Sequence, residues 1–350
     1  MTAGCRLEAV RGPAFVVVSA ILYAVGNIFS KTLYTRHMSQ VSVFLFRAVL
    51  TYFINAGIAE AREPHSGTSV LLLRTQSYRT SLLAFARGCA GFGQVMLLNL
   101  SFDLSVSVAD AFAIKEALGT LMTVLVARAF LGADERLSTR ECIGVLAVLL
   151  GLLLIVQPPA FFPAHVTLVQ APMTATLPRW VGFIMLSVGA AFQCVQNLLT
   201  RVLSRTGSEH AVSGATLLSF YMVAMGVLSI SVALFVRPSR ASGVPRHWAK
   251  LTVPNSAVDS ALLAGVVLAG TAGQLAVAAG ARTTSASKVA LLAINELAFA
   301  YVFSVTVLGE PTSFLSAVGT VIVFFSSALV AAGNELDCCP HSWYGALAPL

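Results

Sequence analysis

Long apolar runs separated by short polar segments dominate this chain. A helix needs roughly 20 apolar residues to cross a bilayer, and ten runs approach that length. They cover residues 13–33, 40–59, 81–102, 107–131, 140–157, 180–202, 213–236, 258–281, 287–308 and 314–333. None of them shows the strict alternation that is typical of a transmembrane β-barrel. The pattern therefore predicts an all-α integral membrane protein with ten transmembrane helices.

Short motifs recur in the same order in the two halves of the chain. The recurring pairs are "NIFSK" at 27–31 with "NLLTR" at 197–201, "GQ" at 93–94 with 273–274, and "AIKE" at 113–116 with "AINE" at 293–296. A proline-containing segment without Lys, Arg, Asp or Glu, residues 158–178, separates the halves. We predict two five-helix repeats, 13–157 and 180–333, with short tails at 1–12 and 334–350. Because five is odd, the second repeat starts on the opposite side of the membrane, which predicts an inverted repeat.

Composition and charge agree with a membrane protein. Hydrophobic residues make up 57% of the chain and charged residues 11%, whereas soluble domains carry about 25% charged residues. The net charge is +7, but the Lys and Arg residues are spread between the apolar runs and form no single patch for a nucleic acid. More of them fall on the side of the N-terminus, which predicts cytosolic N- and C-termini. The span lengths fit the plasma membrane and Golgi or other endomembranes alike, and the sequence leaves a homodimer open.

Three charged residues interrupt the middle of two spans. Lys115 and Glu116 lie in the fourth span and Glu296 lies in the ninth, each roughly 13 Å from the start of its span. A charge at the bilayer centre costs at least about 2.5–3.5 kcal/mol, so a function is expected to retain it. Adjacent residues lie about 100° apart on a helix, so we expect Lys115 and Glu116 not to pair with each other. A pairing of Lys115 with Glu296 is one that the repeat symmetry allows.

Further polar residues in the spans extend the candidate site. The predicted substrate or coupling residues are Lys115, Glu116, Glu296, Asn295, Gln94, Gln274, Arg47 and Arg87. Asp110 adds a further negative charge one turn into the fourth span. Asn27 and Asn197 are related by the repeat, and interhelical hydrogen bonding is the expected role of this structural polar pair. The alternative is that all these groups form a closed, satisfied network that moves nothing.

Motifs for catalysis or for metal binding are absent from the sequence. The six histidines fall in loops or tails, and there is no H-E-x-x-H motif, phosphate-binding loop or Ser/His/Asp set. The sequence therefore predicts no enzyme, cofactor or metal site. The cysteines have no zinc or disulfide spacing, and Cys338 and Cys339 are either unmodified or palmitoylated.

The motifs also carry a resemblance to a known family. They are Phe46-Arg47, Arg87-Gly88, "SVADA" at 107–111, "GLLLIVQPP" at 151–159, "AGQ" at 272–274 and "LGEP" at 308–311. Over residues 13–333 the chain resembles the EamA-like group of the drug/metabolite transporter superfamily, and within it the G-type branch of solute carrier family 35. The resemblance implies cytosolic termini and alternating access around a central site for a small organic solute. Relatives often carry Ser-Pro in the fourth span where this chain has Gly119, so Lys115 and Glu116 are a departure, whereas an acidic residue near Glu296 is shared.

These observations favour a multi-pass secondary transporter in the lipid bilayer. Three cations, Arg47, Arg87 and Lys115, face three carboxylates, so protonation of either Glu would leave a positive site. We therefore expect an organic anion as substrate, with coupling to protons or an exchange mode. The alternatives are a transporter of cationic or lipophilic solutes and a non-transporting membrane scaffold or regulator.

Overall fold

The structure, a computed structural model, describes residues 3–62, 77–103, 108–131, 139–156, 179–204, 212–235, 251–308 and 313–337. All regular secondary structure in these ranges is α-helical, which confirms the predicted class. The helices are α1 (Ala3–Thr35), α2 (Gln40–Arg62), α3 (Tyr78–Asp103), α4 (Val108–Phe130), α5 (Thr139–Val156), α6 (Arg179–Ser204), α7 (Gly214–Phe235), α8 (Ala257–Thr283), α9 (Ala286–Ala293), α10 (Asn295–Leu308) and α11 (Phe314–Asp337).

Most of these helices have the length and composition of membrane spans. Within the described ranges, seven stretches qualify, in α1, α2, α3, α6, α7, α8 and the consecutive pair α9 and α10. Shorter apolar stretches, Cys142–Leu154 and Phe314–Ser326, lie in α5 and α11. The remaining helix, α4, has 23 residues. Each predicted apolar run overlaps a helix, and the ninth run covers both α9 and α10.

Two helices extend from the predicted runs into the predicted tails. The first begins at Ala3, within the predicted tail 1–12, and the last continues to Asp337, within the predicted tail 334–350. Backbone hydrogen bonds continue a helix whether its side chains are apolar or polar, so apolar periodicity underestimates these two ends. The remaining residues of the second tail, with Cys338 and Cys339, lie outside the described residues.

Local sequence sets the start of the helices in the second half. Ser256 precedes α8 and its side chain accepts a hydrogen bond from the Asp259 backbone N–H, while Ser285 does the same for Lys288 before α9. A serine hydroxyl in this place satisfies one of the N–H groups that have no partner inside the helix. The Ser285 cap and a hydrogen bond from the Thr284 N–H to the Gly280 oxygen fix the short turn, residues 284–285, between α8 and α9.

Helices of the first predicted repeat pack mainly on helices of the second. The most extensive pairs are α1–α8, α5–α11 and α3–α6, followed by α4–α6, α2–α7 and α1–α10. Exchanging the two repeats turns α1–α8 into α6–α3 and leaves α2–α7 and α5–α11 unchanged. The packing between the halves is therefore nearly symmetric.

Contacts at the two ends of α8 give the direction of its neighbours. Arg36, just after α1, donates a hydrogen bond of 2.5 Å to Asp259 at the start of α8, and Gly12 lies against Gly280 at the other end. The side chain of Arg201, near the end of α6, donates to the backbone oxygen of Ala281 at 2.8 Å. Consequently α1 begins, and α6 ends, at the same face of the bundle. We call this the Thr283 face and the opposite one the Thr35 face.

Candidate functional site

Each of the two central carboxylates binds an amide from the other half of the chain. Gln193 on α6 donates from Nε2 to Oε2 of Glu116 on α4 at 2.7 Å. Asn27 on α1 donates from Nδ2 to Oε1 of Glu296 on α10 at 2.7 Å. Glu116 lies about 12 Å along α4 and Glu296 about 15 Å beyond the start of α9, and these two helices start from opposite faces. The two carboxylates therefore meet near the middle of the bundle.

Lys115 and Glu116 form an ion pair, and the expectation that they would not pair is wrong. Lys115 Nζ lies 2.6 Å from Glu116 Oε1, and both side chains are almost fully buried. The backbone directions of neighbours do diverge by about 100°, but the flexible four-carbon stem of a lysine brings its ammonium back to the next side chain. The ammonium also lies 5.6 Å from the centre of the Phe112 ring. Glu296 stays within electrostatic range of Lys115, but its described hydrogen bond is to Asn27.

Arg87 is the centre of a hydrogen-bond network that joins four helices. Its side chain on α3 donates from Nε to Thr200 on α6 at 2.6 Å and from Nη2 to Gln274 on α8 at 3.0 Å. A longer bond of 3.4 Å runs from Nη1 to the backbone oxygen of Leu217 on α7. The guanidinium also lies over the ring of Tyr221 at 5.9 Å. Only 1% of Arg87 is exposed, so every direction of its guanidinium is occupied by protein.

Gln94 contacts a residue that the sequence did not single out. Its Nε2 donates to Oε1 of Gln196 on α6, while its own Oε1 is buried without a hydrogen-bond partner among the described residues. Gln193 and Gln196 are both buried on one face of α6. The signal for them was present, since Gln193, Gln196 and Asn197 fall within five consecutive positions of an otherwise apolar run.

Asn27 and Asn197 each make an interhelical hydrogen bond, but the two bonds differ. Asn197 on α6 donates to the hydroxyl of Thr123 on α4 at 3.4 Å. Asn27 instead donates to Glu296, so it belongs to the carboxylate site as well as to the packing of α1 on α10. One member of the predicted structural pair therefore lies within the candidate site.

The ninth predicted span is not one continuous helix. It is interrupted at Ile294, between α9 and α10. Asn295 Nδ2 donates to the backbone oxygen of Leu292 at 2.9 Å, which satisfies a carbonyl near the end of α9. Its Oδ1 is buried and has no hydrogen-bond partner in the described part of the chain. The interruption places Asn295 and Glu296 in the first turn of α10, beside α1 and α4.

Arg47 on α2 differs from the other two cations of the candidate site. Its Nε is buried, and the described residues offer it no hydrogen-bond acceptor. The guanidinium lies against Gly270 of α8, where a Cβ would be 2.6 Å from Nη2. Glu296 and Tyr23 lie within its electrostatic range. The structure therefore brings Arg47 to the carboxylate site without a committed partner.

Two further expectations concern charge and metals. Asp110 lies in the first turn of α4, and its side chain is outside the described residues. In the described part of the chain, no group of three His, Cys, Asp or Glu side chains is placed to hold a metal ion.

Comparison with known proteins shows a similarity to one transporter family. Residues 199–332 match the model of the EamA-like transporter family. Over 316 residues the chain is 22% identical to solute carrier family 35 member G1 of the mouse, Mus musculus, with 90% of this chain and 77% of that protein covered. The chain is therefore similar to EamA-like transporters of the drug/metabolite transporter superfamily. The family name indicates a membrane transporter, which supports the prediction that the chain is not an enzyme.

A solved structure has a similar fold. A crystal structure shares 16% sequence identity with this chain at a TM-score of 0.65, covering 93% of this chain and 98% of the other. At that identity the similarity concerns the fold alone.

Proposed function

We propose that this EamA-like protein is a secondary transporter that moves a small organic anion by alternating access around the central carboxylate site. The observation that carries the proposal is the pair of bonds between the halves, Gln193 to Glu116 and Asn27 to Glu296. Both bonds join helices of different halves at mid-depth. Such bonds change partners when the halves move against each other, and transporters built from repeats bind their solute at this depth.

The packing supports two inverted five-helix repeats with ten spans. The nearly symmetric contacts between halves pair α1–α8 with α3–α6, and they pair α4–α6 with α1–α10. The opposite directions of α1 and α6 are those that an inverted repeat requires. We place the Thr283 face and both termini in the cytosol, in keeping with the distribution of Lys and Arg.

Charge balance supports an anion as the solute. Among the described side chains of the site, the cations are Arg47, Arg87 and Lys115, and the carboxylates are Glu116 and Glu296. These groups carry three positive and two negative charges, so a proton on either Glu makes the site more positive. A cationic or lipophilic solute remains the second candidate, because Glu296 has only one described hydrogen bond, from Asn27.

Glu296 is the residue that we propose for proton coupling. The charged and titratable groups within its electrostatic range are Glu116 and Lys115 of α4 and Arg47 of α2, and Tyr23 of α1 lies in the same range. A carboxylate between a second carboxylate and two cations gains or loses its proton as a charged solute arrives. Flat pH dependence of uptake, together with unchanged uptake in Glu296→Gln, would remove this part of the proposal.

Counterflow in proteoliposomes tests the transport function. Purified protein is reconstituted in vesicles preloaded with an organic anion, an organic cation or a neutral sugar, and uptake of the matching labelled solute is followed. We expect exchange in the anion pool only. Exchange confined to the cation pool would favour the second candidate, and no exchange by folded protein in any pool would favour a scaffold or regulator.

A further inference from the structure

The three cations of the site differ in what already neutralises or satisfies them. Lys115 has an ion pair with Glu116 at 2.6 Å. Arg87 has three hydrogen bonds and an aromatic face. Among the described residues, Arg47 donates no hydrogen bond and forms no ion pair, and its Nε is shielded from solvent. A buried donor without an acceptor is costly, and more so when the donor is charged.

The unused donors of Arg47 have the geometry that an oxyanion fits. A guanidinium is planar, and its N–H groups form a fork that matches the two oxygens of a carboxylate or phosphate. Nε belongs to such a fork together with the neighbouring Nη. No acceptor among the described residues occupies the Nε donor. Because Nε is shielded from solvent in this arrangement of the helices, a solute reaches it only when the halves move, as alternating access requires.

Gly270 determines where this guanidinium lies. A Cβ at position 270 would be 2.6 Å from Nη2, 2.8 Å from Cζ and 2.8 Å from Nε. These are atoms at the far end of a flexible side chain, so an added methyl group displaces the guanidinium and leaves the backbone of α8 in place. The absence of a side chain at this single position lets Arg47 of α2 lie flat against the middle of α8.

We propose that Arg47 binds the anionic group of the transported solute, and that Gly270 positions it to do so. The proposal rests on the proposed function and names the chemistry of its site: the solute carries a carboxylate or a phosphate that forms a charge-assisted, two-point contact with the guanidinium. Lys115 and Arg87 then stabilise the structure of the site, while Arg47 recognises the solute. Glu296 lies close enough for its charge to compete with the bound anion.

Two variants separate this role from a structural one. Arg47→Gln removes the charge and the fork, and we expect the KM for anion exchange to rise by about tenfold to a hundredfold, the value of a lost hydrogen bond to a charged group. Gly270→Ala keeps the arginine but moves its guanidinium, and we expect a smaller rise in the same KM. Arg47→Lys restores the charge without the fork and should recover part of the loss.

Gly226→Ala is a matched control, because Gly226 packs against Ala48, the residue that follows Arg47. A Cβ at Gly226 of α7 would lie 3.7 Å from the Cβ of Ala48, an ordinary packing distance. Gly226→Ala therefore adds the same methyl group beside α2 without reaching the guanidinium. Its KM should equal that of the wild type, and monodispersity in detergent shows that each variant is folded.

Counterflow with shape-matched probes decides the proposal. The probes are benzoate and its neutral analogue benzamide, succinate, and glycerol 3-phosphate, so that carboxylate and phosphate are tested separately. The proposal is supported when at least one anion is exchanged and the KM for that anion rises in the order Gly226→Ala, Gly270→Ala, Arg47→Gln. Anion exchange that is unaffected by Arg47→Gln, or exchange of benzamide with no anion exchange, overturns the role of Arg47 and leaves the transporter standing. No exchange of any solute by folded wild-type protein overturns the transport function itself, and the role of Arg47 with it.

Discussion

Arg87 has the most complete set of partners among the charged side chains of the bundle. Its guanidinium is bonded to Thr200, Gln274 and the backbone oxygen of Leu217, and it is almost fully buried. Each bond reaches a different helix of the second half. Arg87 therefore stabilises the interface between the halves, whereas Nε of Arg47 has no hydrogen-bond acceptor among the described residues.

Replacing Arg87 should therefore lower stability more than replacing Arg47. Arg87→Leu removes the described donor of the Gln274 amide oxygen and one bond each of the Thr200 hydroxyl and the Leu217 carbonyl. A buried group that is left unsatisfied costs about 1–3 kcal/mol. We expect a clear decrease in the midpoint of thermal unfolding, measured in detergent on purified protein. Arg47→Gln, which breaks no described hydrogen bond, is the control and should unfold near the wild-type temperature. Equal midpoints for Arg87→Leu and the wild type would contradict the network.

The sequence located the charged residues but did not predict their partners. Repeats and apolar runs were sufficient to place Lys115, Glu116 and Glu296 in the middle of their spans. The pairing of Lys115 with Glu116 depends on side-chain rotamers, which the spacing of residues on a helix does not specify. Arg47 and Arg87 were both candidates from sequence, and their partners distinguish them: Gly270 lies against Arg47, whereas Thr200 and Gln274 accept hydrogen bonds from Arg87.

Helix α5 and helix α11 approach each other through a glycine. A Cβ at Gly151 would lie 2.8 Å from the backbone oxygen of Gly319 and 2.8 Å from Cγ2 of Val323. A backbone oxygen cannot move aside without moving its helix, so the contact sets the distance between α5 and α11. This pair is among the closest that join the two halves.

A methyl group at this contact should separate the two helices. Gly151→Ala overpacks the interface, which typically costs about 1–3 kcal/mol, and we expect a lower midpoint of thermal unfolding. Gly57→Ala is the matched control, since a Cβ there meets nothing within 4 Å and alanine favours a helix by up to about 1 kcal/mol. An unchanged midpoint in Gly151→Ala would show that α5 and α11 pack less closely than described.

The interruption at Ile294 shows what hydropathy does not detect at the scale of an element. Residues 287–308 carry only two charged side chains, Lys288 and Glu296, so they predict one span, with neither Gly nor Pro to suggest a break. The run is divided at Ile294, where the Leu292 carbonyl accepts both from the Ile294 backbone N–H and from the Asn295 side chain. Such a contact depends on a side chain reaching a particular carbonyl, which periodicity alone cannot specify.

In the whole molecule, corresponding helices of the two halves make corresponding contacts. The first helix of each half packs on the third helix of the other, as α1–α8 and α6–α3, and the second helices pack together. The recurring motifs predicted that the halves correspond. They did not specify which helices would touch, because contacts between halves depend on packing surfaces distributed along the whole length of each helix.

The proposed inverted arrangement makes a direct prediction about sidedness. Thr35 and Thr283 are both exposed, and they mark opposite faces: Thr35 adjoins Arg36, which binds Asp259 at the start of α8, and Thr283 ends α8 about 36 Å further on. In a chain freed of its native cysteines, Thr35→Cys should react with a membrane-impermeant maleimide only from the non-cytosolic side, and Thr283→Cys only from the cytosolic side. The same conservative change is made at both sites, so each variant serves as the control for the other.

Labelling of both from one side would contradict the arrangement of the spans, because α8 would then not cross the membrane. Reversed labelling would retain the spans and place both faces, and with them the N-terminus, on the opposite sides from those proposed.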